Sequence, residues 1–163
     1  MSRLDSFIRR LEAQRACLDH AVQLIEAVPG IVVELGLGNG RTFDHLRERL
    51  GGRAIFVFER QPDPHPLCAP DAAHLILGDL ADTLPTAARR LPGPAALAHS
   101  DIGSGDAAAS AAAAALVARH LPPLLASGGV VVSDQPLASD RLTPLAMPPG
   151  VAPGRYFMYR RIA

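Results

Sequence analysis

The residues with the most chemical content lie between positions 34 and 40, where Glu34-Leu35-Gly36-Leu37-Gly38-Asn39-Gly40 sets three glycines on alternate positions behind a carboxylate. Glycine lets a chain bend sharply and approach a ligand with no Cβ in the way, so the run reads as a loop around a nucleotide-like group. A dinucleotide fingerprint, G-x-G-x-x-G, needs its third glycine at position 41, which is Arg41, and NAD and FAD are disfavoured. A phosphate-cradling P-loop is absent, because no lysine follows the glycines.

Further polar positions each close an apolar run. Glu59, with Arg60 beside it, stands about 20 residues beyond the glycines, where an acidic residue can accept both ribose hydroxyls. Gly78-Asp79-Leu80, Ser100-Asp101 and Asp134-Gln135 close the next three runs. His99 and Asp101 are two positions apart, so on a strand both point to one side, the arrangement of a proton-transfer pair. A hydrogen-bonded core histidine is the preferred reading of His99. Asp134 also suits a turn cap before Pro136.

These positions need a scaffold, and the apolar pattern supplies one. Leu4, Phe7, Ile8, Leu11, Leu18, Val22 and Ile25 recur at helical spacing, predicting a helix from Ser2 to about Val28, broken at most once, with Pro29-Gly30 as its stop. Ile31–Leu35 is a short apolar run suited to a strand buried on both faces. Arg41–Leu50 reads as a helix ended by Gly51-Gly52. Strands are expected at Ala54–Phe58, His74–Leu77, Ala95–His99 and Val130–Ser133, with a terminal one at Arg155–Ile162. Helices are expected at Leu80–Leu91 and over the alanine-rich Asp106–Leu121, whose small side chains allow close packing on a sheet. Strands alternating with helices mean an α/β fold with a mostly parallel sheet, whose ligands bind beyond the carboxyl ends of the strands.

Composition narrows the class. With 163 residues, one domain over 1–163 is expected. Sixteen basic and 16 acidic residues balance, so no positive excess is available for phosphate backbones or anionic lipid, and nucleic acid is not expected as a partner. Every basic residue is arginine, which removes lysine Schiff-base and lysine general-base chemistry. No apolar run approaches the roughly 20 residues of a membrane span, and the start is a charged amphipathic segment. The two cysteines, Cys17 and Cys68, are read as unpaired thiols, and the cytoplasm is the expected compartment.

Val33-Glu34-Leu35-Gly36-Leu37-Gly38-Asn39-Gly40 resembles the first motif of class I S-adenosylmethionine-dependent methyltransferases, in its proper place between a buried strand and a helix. The resemblance implies a three-layer Rossmann-like fold, its mostly parallel central sheet covered by helices on both faces. It implies S-adenosylmethionine as cofactor, with Glu34 organising the site near the methionyl ammonium and Gly36, Gly38, Asn39 and Gly40 passing under the ribose and methionine. Glu59 would meet the ribose, with Arg60 adjoining, while Gly78, Asp79 and Leu80 take the adenine, Asp79 accepting from its amino group. Ser100 and Asp101 would lie beside the methionine portion and the methyl acceptor, and Asp101 is the candidate catalytic group. A carboxylate beside this loop attracts an ammonium and a sulfonium where it would repel a pyrophosphate. The resemblance covers residues 31–135, leaving 1–29 as a helical extension and 136–163 as a strand region. The whole chain is also similar to short bacterial methyltransferases without a separate substrate domain.

The remaining polar residues have plainer readings. Asp44 suits the first helical turn, His45 a helix surface, and His65 either the ribose site or its rigid loop. Asp101 with Asp134-Gln135 resembles the magnesium site of catechol O-methyltransferases, but the amide there is Asn and that family's base is a lysine, so no metal is expected. Ser100-Asp101-Ile102-Gly103 lacks the Asn/Asp-Pro-Pro-aromatic pattern of amide and base methylation. The expected function is methyl transfer to a small-molecule acceptor. A homo-oligomer is favoured because the amphipathic first helix offers an apolar stripe. A non-catalytic protein binding S-adenosylmethionine or S-adenosylhomocysteine, and a nucleotide-dependent oxidoreductase, are the alternatives.

Overall fold

A computed structural model describes residues 2–162. Helix α1, Arg3–Leu24, opens with a reciprocal cap, in which the Ser2 hydroxyl accepts the Asp5 N–H and the Asp5 carboxylate accepts the Ser2 N–H, each at 3.0 Å. It is unbroken but ends four residues before Val28, because Arg53 collects the carbonyls of Ile25, Val28 and Gly30 at 3.1, 2.7 and 3.2 Å as the chain turns. Then follow β1 (Ile31–Leu35), α2 (Arg41–Arg49), β2 (Ile55–Glu59), β3 (Leu75–Leu77), α3 (Leu80–Thr83), β4 (Ala95–Ser100), α4 (Ala107–His120), β5 (Leu125–Ser133), β6 (Leu142–Pro144) and β7 (Phe157–Arg161).

The strands form one sheet in the order β3-β2-β1-β4-β5-β7-β6. β1 to β5 pair in parallel, and β7 runs antiparallel to both of its neighbours. Strand order reverses between β1 and β4, which places the crevice at their carboxyl ends. Alternation along each strand sends side chains to opposite faces. Val32, Val57, Leu97, Val130 and Val132 pack with Cys17, Leu18, Ala21 and Leu46 under α1 and α2. Val33, Leu35, Phe58, Ala98 and Val131 pack with Leu84, Ala87, Ala114 and Val117 on the α3 and α4 side. These are the three layers expected, and the alanines of α4 bring it close to the sheet.

Three further elements differ from the sequence reading. The helix expected over Leu80–Leu91 is a single α-turn followed by a 3₁₀ segment, Leu84–Arg89. Pro85 has no N–H for an i→i−4 bond, so the α-helical ladder stops there. β5 begins at Leu125 rather than Val130: Ala95 pairs with Leu125 and Leu97 with Val130, so the extra residues bulge around Gly128-Gly129. A Cβ at Gly129 would lie 2.9 Å from the carbonyl oxygen of Ala126 and 3.0 Å from that of Ala95. β6 was not expected at all, being three residues long at the sheet edge and ending in proline, where little pattern can register.

Candidate functional site

A cleft of about 650 Å³ opens at the carboxyl ends of β1, β2 and β4, walled on one side by α4. Its floor is knitted by backbone bonds, with the Gly36 N–H donating to the Phe58 carbonyl at 2.9 Å and the Asp101 N–H to the Leu35 carbonyl at 3.1 Å. Gly36 sits at φ +87°, and a Cβ there would stand 2.8 Å from the Asp101 carbonyl oxygen. Only glycine fits that junction.

Glu59, the last residue of β2, organises the glycine loop. Its Oε2 accepts the N–H groups of Leu37 at 2.9 Å and Gly38 at 3.4 Å, and its Oε1 those of Arg60 at 2.8 Å and Gln61 at 3.0 Å. Burial opposes the charge, but the four N–H donors outweigh it and hold the carboxyl below its ordinary range. Next along the cleft, Gly78 at φ +139° leads into Asp79, whose Oδ1 accepts the Ala81 N–H at 2.9 Å and caps α3. Asp134, after β5, accepts from the N–H groups of Ile102 at 3.2 Å and Gly103 at 2.8 Å, which shapes the loop following β4.

Asp101, at the end of β4, is engaged from α1. Arg10 reaches its Oδ1 at 2.6 Å, and Gln14 donates to its Oδ2 at 2.9 Å. Burial works against the Arg10 charge, yet the Asp101 carboxylate more than offsets it, and the guanidinium is held above its ordinary value. Behind Gln14 lies a buried polar row, in which His99 contacts Gln14 at 3.4 Å and Glu34 at 3.2 Å, and Glu34 also accepts from the Thr42 hydroxyl. Among the described residues, Glu34 Oε2, Ser100 Oγ and the Tyr156 hydroxyl are buried without a partner. Glu34 and Ser100 lie in the last two positions of β1 and at the end of β4, and Tyr156 just before β7, so all three belong to the carboxyl edge where ligands are expected. Burial, and then Asp101, push the Tyr156 hydroxyl well above the ordinary phenol range, with Arg10 opposing.

Of the residues singled out from sequence, Gly36, Glu59, Arg60, Gly78, Asp79, Leu80 and Asp101 line this one cleft. Gly38, Asn39, Gly40, Ser100 and Glu34 do not line it. Gly40 is spent on folding, since a Cβ there would lie 2.8 Å from that of Cys68 and 3.2 Å from that of Pro64. Glu34, fully buried, faces α1 and α2 because it follows Val32 and Val33 in alternation. Asp44 pairs with Arg47 at 2.5 Å, His45 with Asp19 at 2.9 Å, and the His65 ring accepts the Leu67 N–H at 3.3 Å. A larger cleft, about 900 Å³, lies over the other flank of α4 and contains none of the carboxylates at the ends of β1, β2 and β4.

Arg10 and Gln14, both on the helix expected only as an N-terminal extension, are the partners of Asp101. The signal was present: Gln14 occupies the buried stripe between Leu11 and Leu18, where an amide is out of place unless it has a partner. Among the described residues no three His, Cys, Asp or Glu side chains are grouped to hold a metal, and the Arg10 cation already stands against Asp101. Nor, among those residues, is any helix long and apolar enough to cross a membrane.

The S-adenosyl-L-methionine methyltransferase family profile matches residues 1–161. A solved S-adenosyl-L-methionine methyl transferase from Silicibacter pomeroyi is 45% identical, covers 99% of each chain and superposes with a TM-score of 0.92. More distant folds include a Podospora anserina methyltransferase with S-adenosylhomocysteine bound, at 15% identity, covering 90% of this chain and 78% of that one with a TM-score of 0.56. A Burkholderia thailandensis 1,6-didemethyltoxoflavin N1-methyltransferase is 15% identical over 94% of this chain and 81% of that one, with a TM-score of 0.51. No curated protein matches the chain. By the family match along its length and the 45% identical relative, the chain belongs to the S-adenosyl-L-methionine methyltransferase family, with S-adenosylmethionine as its cofactor.

Proposed function

We propose that the cleft at the ends of β1, β2 and β4 holds the cofactor, and that the acceptor is a small molecule presented at the Asp101 end. The carrying observation is the convergence of Gly36, Glu59, Asp79 and Asp101 on one cavity of about 650 Å³, a volume typical of small-molecule sites. Bound there, S-adenosylmethionine supplies an activated methyl group on a sulfonium. The residues fit such a group: bare backbone at Gly36 and three carboxylates, Glu59, Asp79 and Asp101, that line the cleft and suit a cationic ligand.

In this reading Glu59 accepts the ribose hydroxyls, and its 3.4 Å contact with Gly38 is the one that yields. Asp79 accepts the adenine amino group on Oδ2, since Oδ1 is occupied by the Ala81 N–H. Leu80, first residue of α3, offers one of the free amides of a helix start, and Arg60 borders the cleft mouth. Asp101, with a donor on each oxygen, acts as an orienting charge beside the reacting groups rather than as a free proton acceptor. Gly38, Asn39 and Gly40 serve the loop conformation, and Ser100 and Glu34 act from behind the cleft. Balanced charge supports a small acceptor over nucleic acid, and unpaired Cys17 and Cys68 support a cytoplasmic setting. Leu4, Phe7 and Ile8, exposed on α1, support self-association.

A thermal-shift titration with S-adenosylmethionine, S-adenosylhomocysteine, NAD and ATP tests the site. Ligand at about 100 times its dissociation constant stabilises the native state by about 2.7 kcal/mol. A shift confined to the two adenosyl sulfur compounds and lost in Asp79→Ala is expected. A shift with NAD instead, or an unchanged response in the variant, removes the site assignment.

A further inference from the structure

Gln14 is 5% exposed and His99 and Glu34 are fully buried, so this polar row crosses the apolar layer between α1 and the sheet. Buried amides and imidazoles cost stability unless paired, and leucine would fill the Gln14 position with no polar group to satisfy. The row ends on Asp101, whose carboxylate borders the cleft. We propose that Gln14 and His99 are positioning residues, which fix the Asp101 carboxylate at the cleft from inside the protein.

The direction of every hydrogen bond follows from one constraint. Asp101 Oδ2 lies 2.9 Å from Gln14 Nε2, and turning the amide over would set oxygen against carboxylate oxygen. The amide nitrogen therefore faces inward, one N–H going to Asp101 and the other to His99 Nε2 at 3.4 Å. His99 Nε2 accepts, so the ring proton is on Nδ1, donated to Glu34 Oε1 at 3.2 Å. Thr42 donates to the same Glu34 oxygen, which holds that carboxylate in place from α2. With Arg10 on Oδ1 and Gln14 on Oδ2, Asp101 has one rotamer, and pre-set geometry of this kind is what positioned transfer requires. Arg10 is partly exposed, with 39% of its side chain accessible, so the Gln14 contact is the one shielded from solvent competition.

The functional half of this inference rests on the cofactor reading of the cleft; the hydrogen-bond half does not. Nitrogen NMR of the imidazoles in the ligand-free protein is expected to show His99 neutral and protonated on Nδ1. A proton on Nε2, or on both nitrogens, overturns the network. Calorimetric titration with S-adenosylhomocysteine then compares wild type with Gln14→Leu, for which about a tenfold weaker dissociation constant is expected from a lost hydrogen bond to a charged group. A merely structural glutamine lowers the melting temperature but leaves the affinity of the folded chain within twofold, and that result overturns the positioning role. Should Gln14→Leu fail to fold, His99→Asn, which keeps a donor for Glu34 and drops the acceptor for Gln14, takes its place with the same expected loss. Wild type that binds no S-adenosylhomocysteine counts against the cofactor site, and the tautomer alone then decides the network.

Discussion

A side chain at Gly36 would put its Cβ 2.8 Å from the carbonyl oxygen of Asp101, so the floor of the cleft depends on a missing atom. Gly36→Ala therefore meets both a backbone clash and a left-handed φ of +87°, whereas Gly38→Ala, at φ +51°, meets open space. Urea denaturation is expected to show a loss of about 1–2 kcal/mol for Gly38→Ala, the usual cost of that backbone region, and distinctly more for Gly36→Ala. Equal losses would show that the β1 and β4 ends can separate freely.

Glu59 links loop order to pH. Its folded-state carboxyl lies below the ordinary value of 4.5, so its stabilising effect is present above that value and is lost as pH falls through the lower, folded one. Melting temperatures taken downward from pH about 6 should fall less steeply for Glu59→Gln than for wild type, since the variant has no proton to take up there. Its affinity for S-adenosylmethionine should drop about tenfold or more, as a hydrogen-bonding carboxylate is lost.

Asp101 separates stability from function. Its ion pair with Arg10 is partly exposed, with side chains 23% and 39% accessible, and such pairs contribute about 0–1 kcal/mol. Asp101→Asn should thus unfold at nearly the wild-type urea concentration while binding S-adenosylmethionine about tenfold more weakly. A variant that binds normally places the reacting end of the cofactor elsewhere.

The two thiols should react very differently. Cys17 is fully buried and its thiol is pushed up to about 11 by burial, so near neutrality it is protonated as well as shielded. Cys68 is half-buried in the loop before β3. Mass spectrometry after brief alkylation at pH about 7.5 should find one label, on Cys68, and a second only once denaturant opens the sheet.

The parts legible in the sequence were those with a local code. The Ile31–Leu35 run, the glycines after it and the acidic residues ending the next strands carry the fold and four cleft-lining positions, Gly36, Glu59, Asp79 and Asp101. Boundaries failed where the code is non-local: the bulge that extends β5 back to Leu125 exists only opposite β4, and β6 exists only beside β7. The side on which Glu34 is spent was hidden for the same reason, since alternation fixes two faces but only packing says which one α1 covers. Arg10 and Gln14, one helical turn apart, lie some 90 residues from Asp101 in the chain, and no spacing rule connects them.

The place of β7 between β5 and β6 bears on how the chain is made. The latest strand in chain order fills an interior position, so until Phe157–Arg161 leave the ribosome Val130–Ser133 is an open hydrogen-bonding edge of apolar valines and Leu142–Pro144 has nothing to pair with. Such an edge is a template for pairing with other chains. A nascent chain still lacking Phe157–Arg161 is thus the sticky species, and the pairing of that strand closes the edge.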